Sequence, residues 1–356
     1  MVDIDKMKLT SFILINILGF YSSISYSQWS WRIPFMLQII PALIFGIGIR
    51  FCPFSPRWLM SKGREDEALN VLRTIRSAYS SDIQAEFEEI KRELLLENEN
   101  EPPQSCLQFR NPTFLRRLIL GIGIQLFQQF SGINSIIYYA PDIFNQLGYG
   151  HKHAFSYSTG INGLVNIIFT IPTVILIDKV GRRLLFLSGA IVMTLSLLIG
   201  GSVMGTNGSI QTSNMTDTIV VNITNPVAAY TVITNIYLFV AAFAFSWGPV
   251  MWVYTTELCP LSMRAKGTSI MLATNWAANC GLSFLIPILL QHMWFQIYII
   301  FGIFCFIIGI LTFFFYPETK GIPLEKMDRI FRGRIIISSC SRTNLNENED
   351  FNDPII

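Results

Sequence analysis

The chain has 356 residues, of which 51% are hydrophobic and 14% charged, whereas a soluble domain carries roughly 25% charged residues. The formal net charge is only +2, which excludes the strongly basic surface that nucleic-acid binding requires. The six cysteines include no Cys-x-x-Cys pair, so neither a disulfide framework nor a zinc site is indicated, and we expect no metal and no other cofactor.

Charge-free apolar runs of about 17 to 28 residues recur along the chain, each long enough to cross a hydrocarbon core roughly 30 Å thick as a helix. They predict an all-α integral membrane protein with about eight spans. The spans are Leu9 to Tyr26, Ile33 to Ile49, Leu118 to Ala140, Thr159 to Ile177, Leu184 to Gly205, Tyr230 to Thr256, Thr268 to Leu290 and Gln296 to Tyr316. Asn16, Gly19 and several serines make the first span the least apolar.

A hydrophilic insert from Pro53 to Arg117 separates the second and third spans. Apolar spacing in Arg64 to Ser77 and Asp82 to Glu97 predicts two or three amphipathic helices, and the acidic run Glu97 to Glu101 before two prolines predicts a linker. The polar tail from Ser338 has no pattern that would bury it. We therefore divide the chain into residues 1–52, 53–117, 118–316 and 317–356: two helices, the insert, a six-helix bundle and a tail.

Basic residues are unevenly distributed among the connections between spans, which predicts their orientation. The connections expected in the cytoplasm carry Arg110, Arg116, Arg117, Lys179, Arg182, Arg183, Arg264, Lys266 and the tail from Lys320. The turn Trp29 to Arg32 and the segment Thr206 to Ala228 are among those expected outside. The sequons at Asn207, Asn214 and Asn222 all lie in that last segment, so we predict glycosylation there, although a loop rich in Asn and Thr also produces sequons by composition alone.

The third span carries Gln125, Gln128, Gln129, Ser131 and Asn134, too many polar groups for a helix that faces lipid. Amides both donate and accept hydrogen bonds and therefore suit a polyhydroxylated ligand. On a straight helix Asn134 lies about 140° around from Gln129. A break near Ser131 and Gly132 would let both line one pocket, as in transporter sites built from discontinuous helices.

Other spans add polar and aromatic side chains at helical spacing. Asn162 and Asn166 lie four apart in the fourth span, and Asn275 and Asn279 repeat that spacing beside Trp276. The sixth span carries Phe243, Trp247 and Trp252 around Pro249, which should kink or break the helix. Aromatics there suit a gate or a sugar-stacking wall, whereas each polar stripe taken singly could instead be hydrogen bonding that holds the bundle together.

These residues stand in motifs that resemble the sugar porter family of the major facilitator superfamily, most closely its fungal-type monosaccharide transporters. The motifs are Trp31-Arg32-Ile33-Pro34, Pro53-Phe-Ser-Pro56-Arg57-Trp58-Leu59, Gln128-Gln129-x-Ser131-Gly132-x-Asn134 with Tyr138-Tyr139, Asp178-Lys-Val-Gly181-Arg182-Arg183, Gly248-Pro249-x-x-Trp252 with Glu257 and Arg264, and Pro317-Glu318-Thr319-Lys320-Gly321. The resemblance implies a major facilitator helix bundle with about eight of twelve transmembrane helices present. We expect the missing helices to lie upstream.

The resemblance also implies roles for individual residues. Those implied to bind the sugar are Gln128, Gln129, Asn134, Asn166, Phe243, Trp252, Trp276 and Asn279. Tyr138 and Tyr139 match an outer gate, although an interfacial aromatic belt would explain them too. The residues that match a cytoplasmic charge network, which locks the inner gate, are Asp178, Arg182, Arg183, Glu257 and Arg264.

The function implied is transport of a monosaccharide, a hexose such as glucose, across the plasma membrane by alternating access, either facilitated or coupled to protons. A sugar sensor that does not transport, or an inactive truncated product, remains an alternative. An enzyme is not expected, because His151, His153 and His292 lie near no nucleophile or metal constellation.

Overall fold

A computed structural model describes residues 29–75, 82–100, 112–146, 151–212, 219–223, 225–259, 263–293 and 295–321. Its helices are α1 Trp29–Phe51, α2 Pro56–Ser61, α3 Glu65–Ile75, α4 Asp82–Asn100, α5 Pro112–Phe130, α6 Ile133–Gln146, α7 His151–Val180, α8 Arg182–Asn207, α9 Pro226–Phe245, α10 Trp247–Leu258, α11 Arg264–His292 and α12 Gln296–Phe315. Strands β1 Gly208–Thr212 and β2 Ile219–Ile223 follow α8. The first predicted span and the tail from Ser338 lie outside these residues.

Five helical stretches of the described chain are long and apolar enough to cross a membrane: Gly160–Val180, Arg182–Asn207, Pro226–Leu258, Arg264–Leu290 and Gln296–Phe315. They correspond to the last five predicted spans. The second predicted span lies within α1, and the third is divided between α5 and α6. The fold class predicted from the sequence is therefore confirmed, and the chain is a multi-pass membrane protein.

α8 is the central helix of the bundle, because α9 and α12 both pack along its length. It buries Leu185, Phe186, Met193, Leu197 and Met204 in the core of the bundle. α5 packs against α10 and α11, while α6 packs against α7. Packing of apolar side chains inside the bundle thus places the polar positions of α5, α6 and α11 close together.

The predicted amphipathic helices of the insert are α2, α3 and α4, which share a small apolar core. Its buried members are Leu59, Met60, Ala68, Leu72, Phe87 and Ile90. An ion pair between Lys91 Nζ and Glu65 Oε2 at 2.7 Å joins α4 to α3, and this hydrogen bond raises the pKa of Lys91. The predicted linker was wrong for Glu97 to Asn100, because α4 continues through them.

Two further departures from the sequence prediction concern segments expected outside the membrane. The predicted turn at Trp29 to Arg32 was wrong, because α1 begins at Trp29. The segment after α8 contains a hairpin in which β1 and β2 pair antiparallel, with Ser209 opposite Asn222. β-branched residues dominate β2, which suits a strand, so among the described residues a short two-stranded ribbon lies at this end of the helical bundle.

Candidate functional site

The third predicted span is a broken helix. α5 ends at Phe130 and α6 begins at Ile133, and Gly132 between them has φ +83°, a conformation that residues with a Cβ rarely adopt. The turn keeps its own hydrogen bonds, since Ser131 N donates to Phe127 O at 2.9 Å and Gly132 N to Gln129 O at 3.1 Å. The structure thus contains the break that the divergent polar faces of this span required.

Four amides meet at the break and form what we call the amide cluster: Gln128, Gln129, Asn134 and Asn275. Asn134 Nδ2 donates to Gln129 Oε1 at 2.9 Å, although the two residues would lie on different faces of a straight helix. Asn275 Nδ2 donates to Gln128 Oε1 at 2.7 Å, and Asn275 Oδ1 accepts from Gln129 Nε2 at 2.9 Å. Asn275 on α11 therefore fixes the amide orientation of both glutamines.

These hydrogen bonds determine which groups of the amide cluster can serve a ligand. Gln128 Oε1 and both amide atoms of Gln129 are already engaged. Gln128 Nε2 and Asn134 Oδ1 have no hydrogen-bond partner in the described part of the chain. The amide cluster thus offers one free amide nitrogen and one free amide oxygen, and a hydroxyl group can accept from the first and donate to the second.

A second layer of polar contacts lies behind the amide cluster. Gln125 Nε2 donates to Thr255 Oγ1 on α10 at 3.1 Å, and Gln125 O accepts from Asn275 Nδ2 at 3.2 Å. Gln125 and Thr255 are both buried. α5, α10 and α11 are therefore joined at one depth by side-chain hydrogen bonds.

The remaining predicted ligand residues surround the amide cluster less closely. Asn166 is half-buried and its Oδ1 lies 3.4 Å from Thr170 Oγ1, while buried Asn279 accepts from Ser283 Oγ at 3.3 Å. In the described residues neither is hydrogen-bonded to the amide cluster. Phe243 is buried, whereas the residues Trp252 and Trp276 are 45% and 65% exposed.

The sixth predicted span is also broken, at Ser246 between α9 and α10. Pro249 cannot donate to the carbonyl of Phe245 four residues earlier, and Thr173 Oγ1 on α7 supplies that hydrogen bond at 2.7 Å. Trp247 is fully buried and donates from Nε1 to Phe186 O at 3.1 Å. Trp247 therefore anchors the break, while its place in a gate or sugar-stacking wall stays a prediction.

A charged group lies at the end of the bundle predicted to face the cytoplasm. Arg182 Nη2 forms ion pairs with Asp178 Oδ1 at 2.9 Å and with Glu257 Oε1 at 2.8 Å. Glu257 Oε2 also accepts from Thr319 Oγ1 at 2.7 Å. The side chain of Arg182 is 9% exposed, that of Asp178 78% and that of Glu257 17%. The ion pair between Arg182 and Glu257 is therefore better shielded from water than the pair with Asp178.

Glu318, just beyond α12, caps the N-terminus of α8. Its carboxylate accepts from Arg182 N at 2.9 Å and Arg183 N at 3.1 Å, where unpaired N–H groups and the helix dipole favour an anion. It also accepts from the backbone N–H groups of Thr319 and Lys320, both at 3.0 Å. The motif from Pro317 to Gly321 is thereby bound to the first residues of α8.

The side chains of the other predicted gate residues make different contacts. The Arg183 guanidinium stacks over the Phe313 ring at 5.1 Å from its centroid, and Arg264 Nη2 donates to Cys259 O at 3.5 Å. On α6, Tyr138 is 55% exposed, while Tyr139 packs partly buried against the bundle core.

Two of the three predicted glycosylation sites lie in the described chain. Asn207 ends α8, is exposed, and donates from Nδ2 to Val203 O at 3.2 Å. Asn222 lies in β2, and Asn214 falls outside the described residues.

Comparison with known proteins assigns this chain to a family. The family described as "Sugar (and other) transporter" matches residues 6–331. The chain belongs to the sugar transporter family of the major facilitator superfamily. It is 36% identical over 310 residues to the high-affinity glucose transporter of Kluyveromyces lactis, covering 85% of this chain and 56% of that protein. Sugar transport protein 10 of Arabidopsis thaliana is 32% identical, and the match covers 92% of this chain and 61% of that protein.

A solved relative supports the same assignment. The proton:xylose symporter XylE bound to 6-bromo-6-deoxy-D-glucose matches with a TM-score of 0.73 and 29% identity, over 91% of this chain and 66% of that one. The chain thus spans about three fifths of the length of these members of the sugar transporter family. They are transporters, as the sequence predicted, and not enzymes.

Sequence reasoning left four residues of the site without a role. The spacing of Asn275 and Asn279 does not show which of the two meets α5, so the sequence predicts no role for Asn275. Thr255 carries no motif signal. Glu318 and Thr319 stand in a motif typical of the sugar transporter family, yet only the structure shows that they bind the start of α8 and Glu257.

Proposed function

We propose that the complete protein is a monosaccharide carrier that moves a hexose such as glucose across the plasma membrane by alternating access. The observation that carries this proposal is the amide cluster at the break between α5 and α6. In this proposal residues 118–316 form the sugar-binding bundle, residues 1–52 belong to the opposing bundle, and residues 53–117 bridge the two. Discontinuous helices at a membrane midplane are a common way to build such a site.

The chemistry of the amide cluster favours a neutral sugar over an ion. Gln128 Nε2 and Asn134 Oδ1 can pair with hydroxyls, and the indoles of the exposed residues Trp252 and Trp276 can cover the apolar face of a sugar ring. A few neutral hydrogen bonds of about 1 kcal/mol each correspond to a dissociation constant nearer millimolar than nanomolar. The names of the relatives, a glucose transporter and a symporter holding a glucose analogue, support a hexose.

The charged groups of the described helices support roles in gating. We assign Asp178, Arg182, Arg183, Glu257 and Arg264 to a lock that holds the inner end closed, and Tyr138 and Tyr139 to an outer gate over the sugar. Opening the inner end would separate Arg182 from Glu257, an ion pair shielded enough from water to matter for the equilibrium. Glu318 would keep α8 and the segment after α12 together as one unit.

The amide cluster itself contains no carboxylate that could carry a coupling proton. In the described membrane-spanning helices carboxylates lie only near the helix ends, at Asp142, Asp178 and Glu257. The hydrogen bonds of Asp178 and Glu257 run to Arg182 and Thr319 and not to the amide cluster. We therefore propose that the amide cluster binds the sugar and takes no proton.

The test is uptake of labelled glucose by cells that lack their own hexose transporters. The cells express the full reading frame of the transcript that encodes this chain, as the wild type, as Asn134→Leu, and as Asn235→Leu. Asn134→Leu removes an acceptor of the amide cluster and should raise KM or abolish uptake. Asn235 on α9 donates to Thr231 O within its own helix, so its variant should transport normally. Surface expression of the wild type without uptake of any sugar would refute the proposal and favour a sensor.

A further inference from the structure

Asn162 on α7 is a buried amide that the proposed site does not use. It is 5% exposed, and neither Oδ1 nor Nδ2 has a hydrogen-bond partner among the described residues. Buried polar groups are nearly always paired, because an unpaired amide loses its hydration without compensation. We therefore expect the amide of Asn162 to have a hydrogen-bond partner in another conformational state or another complex of the protein.

The helix geometry places Asn162 beside the proposed sugar site. α6 ends at Gln146 and α7 begins at His151, and the two helices pack against each other. Asn162 is eleven residues from His151 and Ser135 is eleven residues from Gln146, so each lies about 16 Å from the connection. Asn162 is therefore level with the start of α6, where Asn134 belongs to the amide cluster.

The face of α7 that carries Asn162 points into the bundle. Thr173 lies eleven residues further along, about 20° around the helix from Asn162, and its hydroxyl bonds Phe245 O on α9. Asn166, four residues from Asn162, shares this face. Asn162 thus lies one turn beyond Asn166 on the side that faces the other helices.

We propose that Asn162 is a further sugar-recognition residue, whose amide pairs with a hydroxyl of the bound sugar when α6 moves against α7 during transport. This inference rests on the proposed function. A hydroxyl both donates and accepts and can therefore satisfy either amide atom of Asn162. Because Asn162 is level with Asn134, it would recognise a hydroxyl on the side of the sugar that faces α7.

The experiment compares wild type with Asn162→Leu, which keeps the number and branching of the side-chain heavy atoms but removes both hydrogen-bonding atoms. KM and maximal rate are measured in transporter-deficient cells for glucose and for glucose analogues that each lack one hydroxyl. We expect Asn162→Leu to raise KM for glucose about five- to tenfold. For one deoxy analogue the two proteins should have the same KM, because that analogue already lacks the hydroxyl that Asn162 binds.

Asn235→Leu is the matched control, since it removes an amide whose hydrogen bond is already made within α9. It should change no KM in an analogue-dependent way. If Asn162→Leu leaves all KM values unchanged, or raises them all equally, Asn162 binds water or serves packing alone and the inference is refuted while the proposed function stands. If Asn162→Leu fails to reach the surface, Asn162→Thr is measured by the same criterion. A wild type that takes up no sugar refutes both.

Discussion

An alanine at Gly132 should destabilise the protein through two independent effects. The backbone there has φ +83°, which costs a residue with a Cβ about 1–2 kcal/mol. A Cβ at this position would also lie 2.5 Å from the ring of Phe301 on α12, and overpacking of this kind costs about 1–3 kcal/mol. The sum predicts a loss of about 2–5 kcal/mol in the free energy of unfolding.

The assay is thermal unfolding in detergent, with Gly281→Ala as the matched control. Gly281 lies inside α11, and a Cβ there would meet nothing within 4 Å. Alanine in a helix interior is about 0.5–1 kcal/mol more favourable than glycine. The same chemical substitution is therefore expected to lower the melting temperature at Gly132 and to raise it slightly at Gly281.

A double-mutant cycle with Phe301→Ala separates the two effects. Removing the ring, whose Cγ, Cδ1 and Cδ2 are the atoms nearest to the added Cβ, should recover the steric share of the loss, while the share that comes from the backbone conformation should persist. Full recovery would show that the left-handed backbone at Gly132 costs nothing. A Gly132→Ala protein as stable as wild type would refute the broken-helix geometry itself.

Three further outcomes follow from the described contacts. Asn275→Leu should raise KM for sugar about 10- to 100-fold, because it releases Gln128 and Gln129 from their fixed orientations; uptake kinetics would show this. Glu318→Gln should cost about 1.5–3 kcal/mol of stability, against at most about 1 kcal/mol for Asp178→Asn, whose side chain is 78% exposed; thermal unfolding measures both. Burial raises the pKa of Cys259 to about 11, so at pH 8 a maleimide should label exposed Cys52 but not Cys259, as peptide mass spectrometry would show. Because this thiol stays protonated in the folded chain, its contribution to stability should fall as pH rises from about 9 to 11.

The break in the third span was predictable because two sequence features agreed. A glycine supplies the positive φ, and the polar residues on either side of it would point in different directions on a straight helix. For Trp247 and Trp252, which also lie about 140° apart on a straight helix, no second sequence feature indicates which of the two indoles is buried. Which of them is buried depends on the carbonyl of Phe186 on α8, a contact across the bundle that no local pattern encodes.

The hairpin and the end of α4 were missed for opposite reasons. Four of the five residues from Ile219 to Ile223 are β-branched, but the run is short and lies in a connection between two apolar spans, so the sequence indicated only a loop. Glu97 to Asn100 are highly charged, which favoured a linker, although glutamate is a good helix former and the preceding helix extends through it. In both segments the backbone conformation depends on a neighbouring element, the preceding helix or the paired strand, and local composition does not show that dependence.

The two helix breaks share a physical requirement that explains which helices surround them. A break inside a membrane leaves backbone groups that water cannot reach, so neighbouring helices must pair or cover them. α12 covers the first break, where Phe301 packs against Gly132 and Cys305 Sγ lies 3.7 Å from Ser131 O. α7 pairs the second through Thr173. The helices that carry the polar site can therefore be discontinuous only because continuous helices stand directly behind them.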